Sequence, residues 1–136
     1  MPFGEYLPFR KILPSFVNSI AGDMDISESN VKQKVVHVDE NLNNIAPIIC
    51  YESIFTSMIS KKANLIVNVT NDAWFGKSSG PYQHFEALKF RALENNIPAI
   101  RVANSGISGV IDRFGRVLVK TKLGTEAVLD VKLPEY

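Results

Sequence analysis

The stretch Asn64-Leu-Ile-Val-Asn-Val-Thr70 constrains this chain more than any other. Its apolar residues run together with little alternation before Asn68, the pattern of a strand covered on both faces rather than one lying on a solvated sheet. Such a strand needs a layer above it and a layer below it, which points to a layered α/β domain. Residues 45–49 read as a second short buried strand. Residues 35–38 read as another, joined to it as a hairpin through the polar turn 39–44.

The rest of the chain alternates in the same way. Residues 53–63 carry apolar side chains at Ile54, Met58 and Ile59 with helical spacing, and residues 82–96 form a second helical pattern stopped by Ile97-Pro98. Phe85, Leu88 and Ala92 fall on one side of that helix, with Phe90, Leu93 and Ile97 widening the arc, so most of it is expected to be buried. Its His84, Arg91 and Glu94 are expected to satisfy one another or loop carbonyls. Residues 99–103 read as a strand, 104–109 as a turn permitted by two glycines, and 110–112 with 117–121 as a hairpin across Arg113-Phe114-Gly115-Arg116. A last strand is expected at 126–131. Ahead of these, residues 3–14 read as a compact loop with one short helix and 19–33 as a polar surface loop.

A chain of 136 residues holds one core and no more. Fifteen basic against fourteen acidic residues leave a net charge of +1 without any dense Lys/Arg cluster, so no nucleic-acid partner is expected. No apolar run approaches the roughly 20 residues that span a bilayer, and the first residues lack a secretory pattern. Made by itself, the chain is expected to stay in the cytoplasm.

The single cysteine, Cys50, ends the strand pattern of 45–49 and precedes the helical pattern of 53–63. Two readings stand side by side. A free cysteine beside β-branched residues is commonly an inert core residue; a thiol facing a helix N-terminus is favoured as thiolate and is a nucleophile, with the Tyr51 N–H able to donate to an oxyanion. Glu5, among Phe3, Tyr6, Leu7 and Phe9, is either partly buried or at a turn edge with its head in water. Trp74 and Phe75 beside Gly76 form either a mobile apolar flap or a plug at the core edge.

Five blocks together resemble the catalytic domain of the bacterial apolipoprotein N-acyltransferases, a branch of the carbon-nitrogen hydrolase (nitrilase) superfamily. They are Pro2-Phe-Gly-Glu-Tyr-Leu-Pro8, Ile49-Cys-Tyr-Glu52, Asn68-Val-Thr-Asn-Asp-Ala-Trp-Phe-Gly76 with Gly80-Pro-Tyr-Gln-His84, Arg91-Ala-Leu-Glu94, and Arg101-Val-Ala-Asn-Ser-Gly-Ile-Ser108. The resemblance implies part of a nitrilase-like four-layer αββα sandwich with a mixed β-sheet, over residues 1–136. It implies a Glu-Lys-Cys triad whose nucleophile matches Cys50, and neither metal nor cofactor. Glu5 matches a further glutamate of the family's site, Glu52 the glutamate beside the nucleophile, where a structural role is as expected as a catalytic one, and Trp74, Phe75 and Gly76 part of a mobile loop near the lipid entrance.

In the family the thiolate takes an acyl group from a phospholipid, and the resulting thioester passes it to the N-terminal amine of a diacylglyceryl-cysteine apolipoprotein. The family's enzymes sit in the bacterial inner membrane with the catalytic domain facing the periplasm. The triad glutamate and lysine lie ahead of the Phe-Gly-Glu-Tyr block, where this sequence supplies no match, and the family's membrane helices are unmatched too. A fragment with a domain truncated on its N-terminal side is therefore expected, inactive alone. The alternatives are a soluble nitrilase-type amidase and a non-catalytic fragment that pairs with a separately encoded N-terminal half.

Overall fold

The structure is a computed structural model that describes residues 35–38 and 44–134. The expectations for residues 3–14 and 19–33, and for Glu5, lie outside those residues. Within them, six strands form one sheet in sequence order: β1 (Val36–His37), β2 (Asn44–Ile49), β3 (Leu65–Asn71), β4 (Ala99–Asn104), β5 (Gly109–Ile111) and β6 (Val117–Lys120). β2, β3 and β4 pair in parallel, while β1 and the β5–β6 hairpin pair antiparallel at either side, so the sheet is mixed as expected.

One α-helix, α1 (Gly80–Asn95), connects β3 to β4 and covers one face of the sheet. Its Phe85, Leu88 and Ala92 join Ala46, Ile48, Ile66, Ala99 and Ile111 in the core. Helix α1 starts two residues before the expected position because Pro81 fits the first turn, where its missing N–H costs nothing. It ends at Asn96 in the left-handed conformation, whose N–H caps the carbonyls of Ala92 and Leu93. Phe90 and Leu93, expected in the buried arc, are instead 57% and 51% exposed. The sheet touches a narrower stripe of the helix than the apolar arc allows.

Two expected elements do not form. Residues 53–63 form no α-helix; two 3-10 turns, Cys50–Ile54 and Thr56–Met58, occupy the connection. Ser53 and Ser60 compete for its backbone groups: Ser53 Oγ reaches the Cys50 carbonyl, and Ser60 Oγ accepts the Lys62 N–H. Residues 126–131 form no strand either, and Val128 is 95% exposed. Among the described residues that segment has no neighbouring strand to take up its backbone groups, and β-propensity without a ladder partner does not hold a strand.

Candidate active site around Cys50

Cys50 sits where β2 ends and the first 3-10 turn begins, with φ +50°. A side chain other than glycine in that region costs on the order of 1–3 kcal/mol, so its surroundings must hold it there. Three side chains aim at its carbonyl oxygen: His84 Nε2 at 3.1 Å, Asn68 Nδ2 at 3.4 Å and Ser53 Oγ at 3.5 Å. One residue earlier, the Ile49 N–H donates to Glu52 Oε2 at 2.8 Å. The thiol is half-buried, at the ends of the parallel strands, where a sheet of this kind presents its reactive groups.

Beneath this elbow lies a buried polar cluster. Asn68, Asp72, His84 and Arg101 are each at most 2% exposed. Arg101 donates through Nη1 to Asn68 Oδ1 at 2.6 Å, through Nη2 to Asp72 Oδ2 at 2.7 Å, and through Nε to the Ile107 carbonyl at 3.2 Å. His84 Nδ1 lies 2.9 Å from Asp72 Oδ1 and 3.0 Å from Arg101 Nη2, and Thr70 Oγ1 donates to Asp72 Oδ1 at 3.1 Å. Burial lowers the His84 pKa and the Arg101 charge lowers it further, against the opposing pull of Asp72. Burial likewise lowers the Arg101 pKa, with Asp72 and, more weakly, Cys50 acting to raise it.

The expected residues fall into place unevenly. Cys50 and Tyr51 adjoin as the sequence requires, and the Tyr51 N–H lies in the first turn of a 3-10 segment, where backbone donors have no intrahelical acceptor. The expected α-helical N-terminus behind the thiol is absent, as that turn spans five residues. Glu52 is buried and turned back onto β2 through the Ile49 N–H. Trp74 is 84% exposed, while Phe75 is half-buried and packs its ring against His84, 5.8 Å between centroids; both belong to a short 3-10 turn, Ala73–Phe75, which Gly76 ends at φ +54°. Tyr51 meets the same imidazole at 5.4 Å. The aromatic loop and Tyr51, the residue after Cys50, therefore share His84 as a common wall.

Arg91 donates to Glu94 and to the Ile54 carbonyl, and His84 to a loop carbonyl, as expected for polar groups on an apolar helix. The reading of single residues did not reach the Asn68–Asp72–Arg101 cluster. Its signal was polar residues at positions that the strand pattern assigns to the core: Asn68 within β3 and Arg101 within β4. Among the described residues no group of His, Cys, Asp and Glu is placed to hold a metal ion, and no helix is long and apolar enough to cross a membrane.

Residues 3–135 match the carbon-nitrogen hydrolase family. The chain is 44% identical to an apolipoprotein N-acyltransferase of Rickettsia typhi and 43% identical to one of Geobacter metallireducens, with 99% of the chain aligned in both cases. It spans 27% and 26% of their lengths, about a quarter of the curated relatives it matches. Among solved structures, the fold resembles a carbon-nitrogen hydrolase from Helicobacter pylori (TM-score 0.62, 12% identity, 74% of this chain and 43% of that one). It also resembles Nit3 of Saccharomyces cerevisiae, a member of the nitrilase superfamily (TM-score 0.58, 19% identity, 74% and 40%). The mixed sheet, the strand-end elbow and a family match along nearly the whole sequence agree, and the chain belongs to the carbon-nitrogen hydrolase family.

Proposed function

We propose that this chain carries the nucleophile-bearing part of an N-acyltransferase active site, with Cys50 as the nucleophile. Supporting this reading above all is the identity of 43–44% to apolipoprotein N-acyltransferases over 99% of the chain, with Cys50 at a strained turn braced through its own carbonyl. The Cys50 thiolate attacks the carbonyl carbon of a phospholipid acyl ester; the new C–S bond forms as the C–O bond to the glycerol oxygen breaks, and that oxygen leaves with a proton as lysophospholipid. The unprotonated N-terminal amine of a diacylglyceryl-cysteine apolipoprotein then attacks the thioester, forming the amide and returning the thiol. The Tyr51 N–H donates to the oxyanion in both steps.

Glu5 and Glu52 complete the carboxylates assigned to the site. For Glu52, the bond to the Ile49 N–H favours a bracing role over proton transfer. Trp74, Phe75 and Gly76 form the wall through which an acyl chain reaches the thiol, a role suited to the exposed indole. On this reading the triad glutamate and lysine lie outside the matched blocks, and their general-base and oxyanion contributions are about 10²–10⁴-fold and about 10²–10³-fold respectively. This stretch taken alone is therefore a partial domain, expected to acylate its thiol slowly and to transfer nothing, unless a partner segment supplies the missing groups. Phospholipid and a diacylglyceryl peptide in detergent, followed by mass spectrometry, test that directly. N-acylated peptide above the Cys50→Ala background would show that another residue of this chain serves as the base.

A further inference from the structure

We propose that His84 is a positioning residue for the oxyanion donor: it holds the Cys50 carbonyl and thereby aims the Tyr51 N–H. The inference rests on the reading of Cys50 as nucleophile. His84 Nε2 lies 3.1 Å from the Cys50 carbonyl oxygen. A carbonyl only accepts, so Nε2 carries the proton in this contact whether the ring is neutral or charged. The peptide joining Cys50 to Tyr51 is planar and trans, so its C=O and N–H point in opposite directions. A carbonyl drawn inward to His84 and Asn68 sends the Tyr51 N–H outward, away from the buried cluster.

The imidazole can do this because its own orientation is fixed from every side. Nδ1 lies 3.0 Å from Arg101 Nη2, which donates to it when the ring is neutral, and 2.9 Å from Asp72 Oδ1, to which it donates only when the ring is charged; Asp72 is itself held by Thr70 and Arg101. The Tyr51 and Phe75 rings pack against the imidazole, at centroid distances of 5.4 Å and 5.8 Å. Three elements thus converge on one peptide bond: β3 with the turn that follows it, α1 and β4. A cluster serving only to hold the sheet to the helix has no need to end on the nucleophile's carbonyl.

Two reactions of the one thiol separate positioning from support of the fold. Acylation by p-nitrophenyl butyrate passes through an oxyanion, whereas alkylation by iodoacetamide does not. In the full chain, His84→Leu is expected to slow Cys50 acylation by about 10²-fold and alkylation by no more than about threefold, the scale set by loss of one oxyanion donor. His84→Gln, whose amide nitrogen can reach the same carbonyl, is expected to recover most of the acylation rate. Acylation unaffected by His84→Leu, or both reactions slowed equally without recovery in His84→Gln, would overturn the proposal. If the unmodified chain acylates no faster than Cys50→Ala, the nucleophile reading fails, and imidazole nitrogen-15 spectra still judge His84: a proton on Nε2 upholds its contact with the carbonyl, and a neutral ring protonated on Nδ1 overturns it.

Discussion

Arg101 donates to Asp72 across 2.7 Å with both side chains fully sealed from water, tying β4 to the turn that follows β3 directly beneath Cys50. Removing one member of a buried pair leaves an uncompensated charge, which costs about 3–5 kcal/mol. Arg101→Met should therefore lower the free energy of unfolding in urea by that amount. The double variant with Asp72→Asn should lose less than the sum of the two single losses, because the second change removes the charge stranded by the first. A loss below about 1 kcal/mol for Arg101→Met would mean the pair is not closed as the structure shows it.

His84 makes stability depend on pH with a definite sign. Burial, then the Arg101 charge, lowers its folded pKa below the ordinary value of 6.5, against Asp72 and the Cys50 carbonyl, which favour the charged ring. Between the folded and unfolded pKa values the unfolded chain binds more protons, so stability rises with pH there. The contribution is complete above the unfolded value and is lost as pH falls beneath it. Urea midpoints should drop as pH falls through the unfolded value of about 6.5, and His84→Gln should flatten that slope. An unchanged slope in the variant would assign the effect to other groups.

Gly106 lies against the same cluster, and a Cβ there would fall on the Asp72 carboxylate and on the Ala103 side chain. Gly106→Ala should displace Asp72 from Arg101 and His84, costing about 1–3 kcal/mol as overpacking and slowing Cys50 acylation as well. Equal stability and equal acylation rates would show that the turn yields without disturbing Asp72. Gly115, at φ +75° in the β5–β6 turn, is the contrasting case. Gly115→Ala should destabilise by about 1 kcal/mol through backbone strain and leave the thiol chemistry unchanged.

The sheet face opposite α1 carries Pro47, Val67 and Ile100 in one register row and Ile49, Val69 and Val102 in the next. Ile49, Val69 and Val102 are 52%, 48% and 57% exposed. Three neighbouring apolar side chains across parallel strands make a surface that attracts apolar partners. The isolated chain should bind a hydrophobic dye such as ANS and self-associate, and Val69→Lys with Val102→Glu should reduce both. Dye binding unaffected by that pair would place the apolar surface elsewhere.

The parallel strands were legible because each carries its own apolar run, Leu65, Ile66 and Val67 in β3, but the covering of both faces that this run implied is not met: Val69 is 48% exposed on the face opposite α1. Helix α1 was legible for the same reason, with Pro98 marking its end. What failed depended on partners. Residues 53–63 have a helical spacing of apolar residues, but Ser53 and Ser60 find backbone groups nearby, a competition that spacing does not record. Residues 126–131 have strand composition without a strand to pair with among the described residues. For the proposed site, Cys50 and Tyr51 come from a single block of sequence, whereas the contact of the His84 ring with the Cys50 carbonyl, 34 residues away, is visible only in the fold.

A nucleophilic Cys50 must accept an acyl group and hold it as a thioester. The full chain, incubated with p-nitrophenyl butyrate and digested, should give one peptide carrying a butyryl group on Cys50. That adduct should be released by neutral hydroxylamine as a thioester is, and be absent from Cys50→Ala. Acylation confined to lysines or serines, or a thiol that remains unmodified while those residues react, would contradict the assignment of Cys50 as the nucleophile.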